Sequence, residues 1–580
     1  ALGDAFSASP VGDWDTLAEF GDIWSKQMGR HSLKVGGDFR PYFWPMWGFF
    51  QNRGYYQFTS GFTTQTATND GTGSGLASFL LGDPVVKQRQ AGIPIMDLRQ
   101  SYTDAFIQDD WRATASTTLN LGLRYEFMTP LSDVENPNSN LTFVNGKPYA
   151  FIGGQNGMPR ALMDPNYFNF APRFGIAHET GKGHFVVRAG FGIFYTPVDM
   201  NTWCDMRHQP PLVFAESDQS DNFTPAFNGF NFGPAVLGQT VISYAAIPPH
   251  SPAEYISQWN FTVQKALPGN TIIEVGYEGA RGYHLQRAHL INNAQPGPGP
   301  INPRRPFTTI SFLPGTVFPP GFNVASETFP VSAINLLENS ANSWYDAGFV
   351  NVRRRFSHGL TFLANYTWSK SLTDAPDFRS PMDESALPQN DFDLAAEKGL
   401  ACDVPQRLAA SAVYNIPGLR NRGLVSALTT GWSTAGIYTL QSGMPFTVSV
   451  FGDTANAGTL LGENPIRANY TGAPIYPAGT QTSMMWFDPM AFATPASYTF
   501  GNAGRNTMQS PGLQDLDLAL MRDFRLGERM GFQFRAEFFN SLNNVNLGAP
   551  NRFVNEPGFG TITMAMTEGR EVQLSARLSF

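Results

Sequence analysis

The sequence predicts an all-β fold: a transmembrane, antiparallel, up-and-down β-barrel. Three observations carry the prediction. Apolar and polar residues alternate strictly in segments of about ten residues. The connections between those segments alternate between very short and very long. Charge is scarce, while aromatic residues, glycine and proline are abundant. Of 580 residues only 15% are charged and 13% are aromatic, and glycine and proline number 57 and 43. An ordinary soluble domain carries about 25% charge.

The same composition excludes other classes. A hydrophobic fraction of 42% is too high for a disordered chain. A net charge of −8 gives no basic footprint for nucleic acid. Two cysteines rule out a disulfide scaffold or a cysteine-rich zinc protein. The charge-free run 424–452 contains Gly431, Gly436, Gly443 and Pro445, which a membrane-spanning helix does not favour. The chain opens on Ala1, with no basic segment followed by an apolar one, so the expectation is a processed chain or a fragment.

The strands can be justified in chain order. The first is expected near Leu17–Trp24 and the second near Ser32–Phe39. Next, Leu119, Leu121, Leu123, Tyr125 and Phe127 oppose Asn120, Gly122, Arg124 and Glu126. Phe185, Val187, Ala189, Phe191, Ile193 and Tyr195 oppose Arg188, Gly190 and Gly192; Ile273, Val275 and Tyr277 oppose Glu274, Gly276 and Glu278. Phe362, Ala364, Tyr366 and Trp368 oppose Leu363, Asn365 and Thr367; Phe532, Phe534, Ala536 and Phe538 oppose Gln533, Arg535 and Glu537. The chain ends with Val572, Leu574, Ala576, Leu578 and Phe580 on one face. A period of two is that of a strand with one apolar and one polar face.

The short connections are 179–183, 267–270, 356–359 and 525–529. The long ones are 128–169, 196–255, 286–343, 371–403 and 443–513, rich in Pro, Gly and Asn. Tight turns at one rim and long loops at the other are the pattern of an outer-membrane barrel. About seventeen strands are expected, each long enough to cross a bilayer at a tilt.

A soluble sandwich or propeller is the alternative. Sandwiches place turns at regular spacing without one-sided loops. A propeller needs a repeat of about 40–50 residues, and none is visible. The polar face also carries a large share of the charge, including Arg124, Glu126, Arg188, Glu274, Arg353, Arg535, Glu537 and Arg577. In a wide barrel such residues face the lumen and the apolar face meets lipid.

Three blocks carry a family resemblance: FIQDDWRATASTTLNLGLRYEF (106–127), FVNVRRRFSHGLTFLANYTWSKSLTD (349–374) and GNAGRNTMQSPGLQDLDLALMRDFRLGERMGFQFRAEFFNSLNN (501–544), with VQLSARLSF at the end. They resemble TonB-dependent outer-membrane receptors of the Oar-like subfamily. The resemblance implies that residues 1–580 are the barrel domain of such a receptor, a C-terminal portion of a barrel of about 22 strands that encloses a plug. The plug, the TonB box and the β-sandwich that often precedes them are not recognisable in these residues. The terminal Phe580 resembles the signal read by the barrel-assembly machinery.

The sequence offers no catalytic, cofactor or metal constellation to assign. His178-Glu179 lacks the second histidine of a zinc helix. The stretch from Gly175 to Lys182 is one residue too long for a phosphate-binding loop and reads as a turn. Gly71 to Gly75 reads as a flexible connection. Cys204, Asp205 and His208 have near-ligand spacing, but a lone C-x-x-x-H is weak. Cys204 and Cys402 both fall in outer loops, and spacing leaves a bridge between them open. Asp515, Asp517, Asp523, Glu528 and Glu537 lie in or beside one hairpin and read most simply as lumen-facing. Trp203, Phe214, Phe223, Phe227, Phe230 and Phe232 in one loop, and Met484, Met485, Trp486 and Phe487 in another, suit either ligand stacking or packing between loops. The expected function is uptake of a large scarce solute such as a glycan, a peptide or a metal chelate. The expected partners are outer-membrane lipid, the TonB complex through upstream residues, and the assembly machinery through Phe580. An adhesin-like barrel and a passive porin-like channel are the rival readings.

Overall fold

The computed structural model describes residues 12–47, 54–58, 60–66, 72–84, 86–92, 95–135, 138–181, 185–197, 206, 209–219, 225, 229–232, 234–375, 387–419, 423–458, 466–527 and 530–580. Fifteen long strands run through them. They are β1 (Phe20–Met28), β2 (His31–Trp47), β3 (Ile95–Trp111), β4 (Thr117–Met128), β5 (Phe170–Glu179), β6 (Phe185–Tyr195), β7 (Tyr255–Leu267), β8 (Thr271–Leu290), β9 (Thr328–Ser357), β10 (Leu360–Thr373), β11 (Gln406–Asn415), β12 (Trp432–Gln441), β13 (Leu513–Leu526), β14 (Met530–Phe539) and β15 (Glu571–Ser579).

Each strand pairs antiparallel with the next, from β1 to β15, in one sheet. The count is fifteen against the seventeen or so read from the alternation; shorter strands such as Ile242–Ala246 join the same sheet without adding to the meander. Connections 29–30, 112–116, 180–184, 268–270, 358–359, 416–431 and 527–529 lie at one rim. Connections 48–94, 129–169, 196–254, 291–327, 374–405, 442–512 and 540–570 lie at the other. The one-sided loop lengths expected from the sequence are therefore present. In the 358–359 turn His358 (φ 53°) and Gly359 (φ 80°) both take left-handed backbone, which matches the twist of the flanking strands.

Within the sheet the alternation sorts side chains as predicted. On β4, Leu121 and Leu123 are exposed while Glu126 is buried. Phe261, Val275, Leu518 and Leu574 continue the exposed apolar face on other strands. A sheet that turns apolar residues outward and buries a carboxylate on its inner side is inverted relative to a soluble core.

Two expectations need correction. The stretch 286–343 is not all loop: β8 continues to Leu290 and β9 begins at Thr328, with Leu285–Leu290 paired to Asn335–Ala341 after a bulge. These residues do not alternate, because outer loops bury both faces of the ladder; Ala288, His289, Leu290, Ile334 and Leu337 are all buried. The second strand also outruns its predicted end, continuing through Pro41 and Pro45 to Trp47.

The two outermost strands point the same way. β1 runs from the long-loop rim to the turn at 29–30, and β15 runs from the 540–570 loop to the short-turn rim. Both are exposed along their whole length. An odd number of antiparallel strands leaves parallel edges, and these cannot close on each other by an antiparallel ladder.

Candidate functional site

Two regions carry chemistry: the inner wall of β1–β4 and the knot of outer loops. On the wall, Asp38 of β2, Asp104 of β3 and Glu126 of β4 stand directly opposite one another. Like charges in adjacent register repel. Two arginines on neighbouring inward positions offset this. Arg124 donates to Asp104 at 2.5 Å and lies 3.3 Å from Glu126 and 3.7 Å from Asp38. Arg40 reaches Asp38 at 2.7 Å and Glu19 at 3.4 Å. Aromatic faces hold both guanidiniums, Tyr102 under Arg40 and Phe106 under Arg124. Beside this network is a cavity of about 740 Å³, lined by Glu19, Asp38, Arg40, Phe106 and Arg124. Four carboxylates interleaved with two guanidiniums make a wettable wall, suited to a polar body or to water.

The outer loops are not independent. One apolar core joins Met46, Met96, Leu131, Phe151, Met206, Ile247, Leu290, Leu337 and Leu387, drawn from three long connections and from the outer parts of β2, β3, β8 and β9. A second gathers Phe214, Tyr244, Phe312 and Phe329. A third, around Phe487 and Phe492, packs residues of 442–512 against Val554 and Phe559 of 540–570.

The segment 387–403 ties these groups together with buried polar contacts. On one side Asp391 accepts from the Leu290 amide at 2.5 Å and from Asn293 at 2.7 Å. On the other side Gln389 donates to the Gly501 carbonyl at 2.9 Å and accepts from the Arg467 amide at 3.0 Å. Arg467 pairs with Glu397 at 2.9 Å, and Arg505 donates to the Glu397 carbonyl at 2.7 Å. Burial pushes the Asp391 carboxyl up to about 6. Burial also raises Glu397, opposed by the charges of Arg467 and Arg505. His289 lies 3.5 Å from Glu338 and 4.0 Å from Asp391. The nearby His289 imidazole, with donation from the Ser340 hydroxyl, holds Glu338 below the usual carboxylate range.

The aromatic residues singled out in the sequence mostly serve this packing. Phe214 is buried and stacks on Phe322 at 4.8 Å. Phe230 meets Tyr56 edge-on at 5.0 Å, and Phe232 lies under Arg89. Phe487 is fully buried, and Trp486 donates to the Gln509 carbonyl at 2.7 Å; Met484 is exposed. Asp515 and Asp517 fall on the inward face, and Asp517 accepts from the Asn540 amide. His178 sits at the short-turn rim, bonded to Thr117. Trp203, Cys204, Asp205, His208, Phe223, Phe227 and Glu528 lie outside the described residues, as does the Cys204–Cys402 pairing. Asp391, Glu397, Arg467 and His289 were not singled out from the sequence, since their partners lie far away in the chain.

A long antiparallel meander, apolar outside, charged inside and looped at one rim, is the wall of a transmembrane β-barrel. A family model described as "Outer membrane beta barrel domain" matches residues 1–573, and the chain belongs to that family. It is therefore a protein of the Gram-negative outer membrane. No curated protein matches it. Among solved structures it is similar to the outer membrane transporter YddB from Escherichia coli (10% identity, TM-score 0.48, 98% of this chain and 54% of that one). It is also similar to the siderophore receptor PirA from Acinetobacter baumannii (10%, 0.44, 98% and 55%) and the FrpB iron transporter from Neisseria meningitidis (11%, 0.42, 97% and 55%). The chain spans about half the length of each of these.

Proposed function

We propose that residues 1–580 are most of the barrel wall of a TonB-dependent, plugged outer-membrane receptor of the Oar-like subfamily, and that it carries solute rather than catalysing a reaction. The observation that carries this reading is the parallel direction of the two edges, β1 and β15. An odd number of further strands must lie between them, which makes a barrel of sixteen strands or more. Barrels of that size enclose a lumen that is either an aqueous channel or plugged. The paired charges of Asp38, Arg40, Asp104, Arg124 and Glu126, with carboxylates in excess, favour a polar body against the wall. The knotted outer loops supply a rigid surface on which a large solute can be recognised before entry. Phe580, exposed at the tip of β15, serves the assembly machinery.

The test is planar-bilayer conductance of the intact protein. A plugged receptor passes almost no current until a pulling force on its upstream segment displaces the plug. A steady, ungated current would instead establish a porin. Cell adhesion that is lost with the outer loops while uptake persists would establish an adhesin.

A further inference from the structure

Cations on a lipid-facing surface need a counter-charge, and the two rims of this barrel meet that need differently. Toward the long-loop rim the outward cations borne by the strands have carboxylates among the described residues: Arg99 pairs with Asp97 at 2.6 Å, Arg281 with Asp346 at 2.8 Å and Lys370 with Asp403 at 4.0 Å, while Lys398 of the 374–405 connection lies 3.7 Å from the Trp344 ring. Toward the short-turn rim four cations stand on the outward face, each within four residues of its strand end: Lys26 on β1, Lys265 on β7, Arg354 on β9 and Arg522 on β13. Register fixes their side of the sheet. Lys265 is opposite Phe185 and Ile273, Arg354 is opposite Phe362, and Arg522 is opposite Trp432 and Phe534.

Aromatic rings carry three of them. The Lys26 ammonium lies 6.0 Å from Trp24 and that of Lys265 lies 4.6 Å from Phe185. The Arg522 guanidinium lies 5.2 Å from Trp432 and 4.3 Å from Phe524. Arg354 folds over its own turn and donates to the Ser357 carbonyl. Among the described residues no carboxylate pairs with Lys26, Lys265 or Arg354. Asp109, an acid on the same face at this depth, is held by His31 at 2.7 Å.

We propose that this belt binds the phosphates of anionic phospholipids in the periplasmic leaflet. Short turns mark the periplasmic side of such barrels. Aromatic rings of this kind lie at headgroup depth, where long cationic side chains extend toward the interface. A cation there without an internal partner is stabilised by an anionic headgroup, and its counter-charge is then lipid rather than protein. The strand cations of the outer rim, Arg99, Arg281 and Lys370, are neutralised within the protein and have no such requirement.

The test uses the intact protein in nanodiscs of equal phosphatidylglycerol and phosphatidylcholine, with retained lipids counted by native mass spectrometry. Phosphatidylglycerol is expected to be retained preferentially, and that preference to fall by about fivefold for each cation removed in the triple variant Lys26→Gln, Lys265→Gln, Arg354→Gln. A charge-matched triple on the lumen wall, Lys34→Gln, Arg188→Gln, Arg535→Gln, is expected to keep it. Equal retention of both lipids by the unaltered protein would overturn the proposal, as would an unchanged preference in the belt variant or an equal loss in the lumen variant. If the belt triple does not insert, Lys265→Gln and Arg354→Lys decide the matter. A partial loss in the first with retention in the second supports the belt, and any other pairing sinks it.

Discussion

Arg467 and Glu397 face each other at 2.9 Å across two outer loops, both almost fully buried. Removing one member of such a pair strands the other charge without water. Arg467→Ala is therefore expected to free the 442–512 loop at a cost of about 3–5 kcal/mol. Limited proteolysis should show cutting confined to that loop and to 387–403, with the barrel intact. Uniform resistance would show that the pair does not hold the loops together.

Asp391 makes the same junction sensitive to pH. Its carboxyl titrates at about 6 when docked, against about 3.9 when free, so the docked state binds more protons between those values. Docking should strengthen as pH falls from about 7 to about 4 and weaken as pH rises through 6. His289, Glu338 and Glu397 are the other titratable groups around it. Asp391→Asn should tighten docking at neutral pH by about 1–3 kcal/mol and flatten the dependence. The buried Asn293 Oδ1, which lacks a partner, can accept from the new amide if the Asn293 amide turns over. Hydrogen exchange of 387–403 across this range measures the effect; a variant that docks more weakly at pH 7 would contradict it.

On β4, neighbouring positions should respond in opposite ways to the same residue. Leu121→Arg places a charge against hydrocarbon and is expected to cost about 2–4 kcal/mol of folding into lipid vesicles. Asn120→Arg points into the lumen and should cost far less. Similar losses for both, measured by urea titration in vesicles, would mean that the two faces share one environment.

The parallel edges make a prediction about the intact protein. On the proposed closure of the barrel, amides of β1 and β15 should be as protected from exchange as those of β7. Rapid exchange along either edge would show that the sheet stays open.

What the sequence revealed follows from where side chains meet a uniform solvent. Across the bilayer one face always meets lipid, so Leu121, Val275 and Leu574 announce their strands by period alone. Past the membrane, β8 and β9 are covered on both faces, and His289 and Leu337 give no alternation to read. β2 runs on past Phe39 through Pro41 and Pro45, residues that strands seldom hold, so its end is not legible from alternation. The loop junction was hidden for a different reason: Gln389 and Arg467 are 78 residues apart, and nothing local in either marks the other.

The central claim is that lipid covers the apolar face. Single spin labels placed in turn at residues 119 to 125, in a protein with Cys204 and Cys402 replaced by serine and reconstituted in bilayers, test it most directly. Labels at 119, 121, 123 and 125 should be relaxed by dissolved oxygen, and those at 120, 122 and 124 by a polar nickel chelate. Oxygen accessibility that fails to alternate, with the odd positions shielded from both reagents, would mean that protein rather than hydrocarbon packs against them.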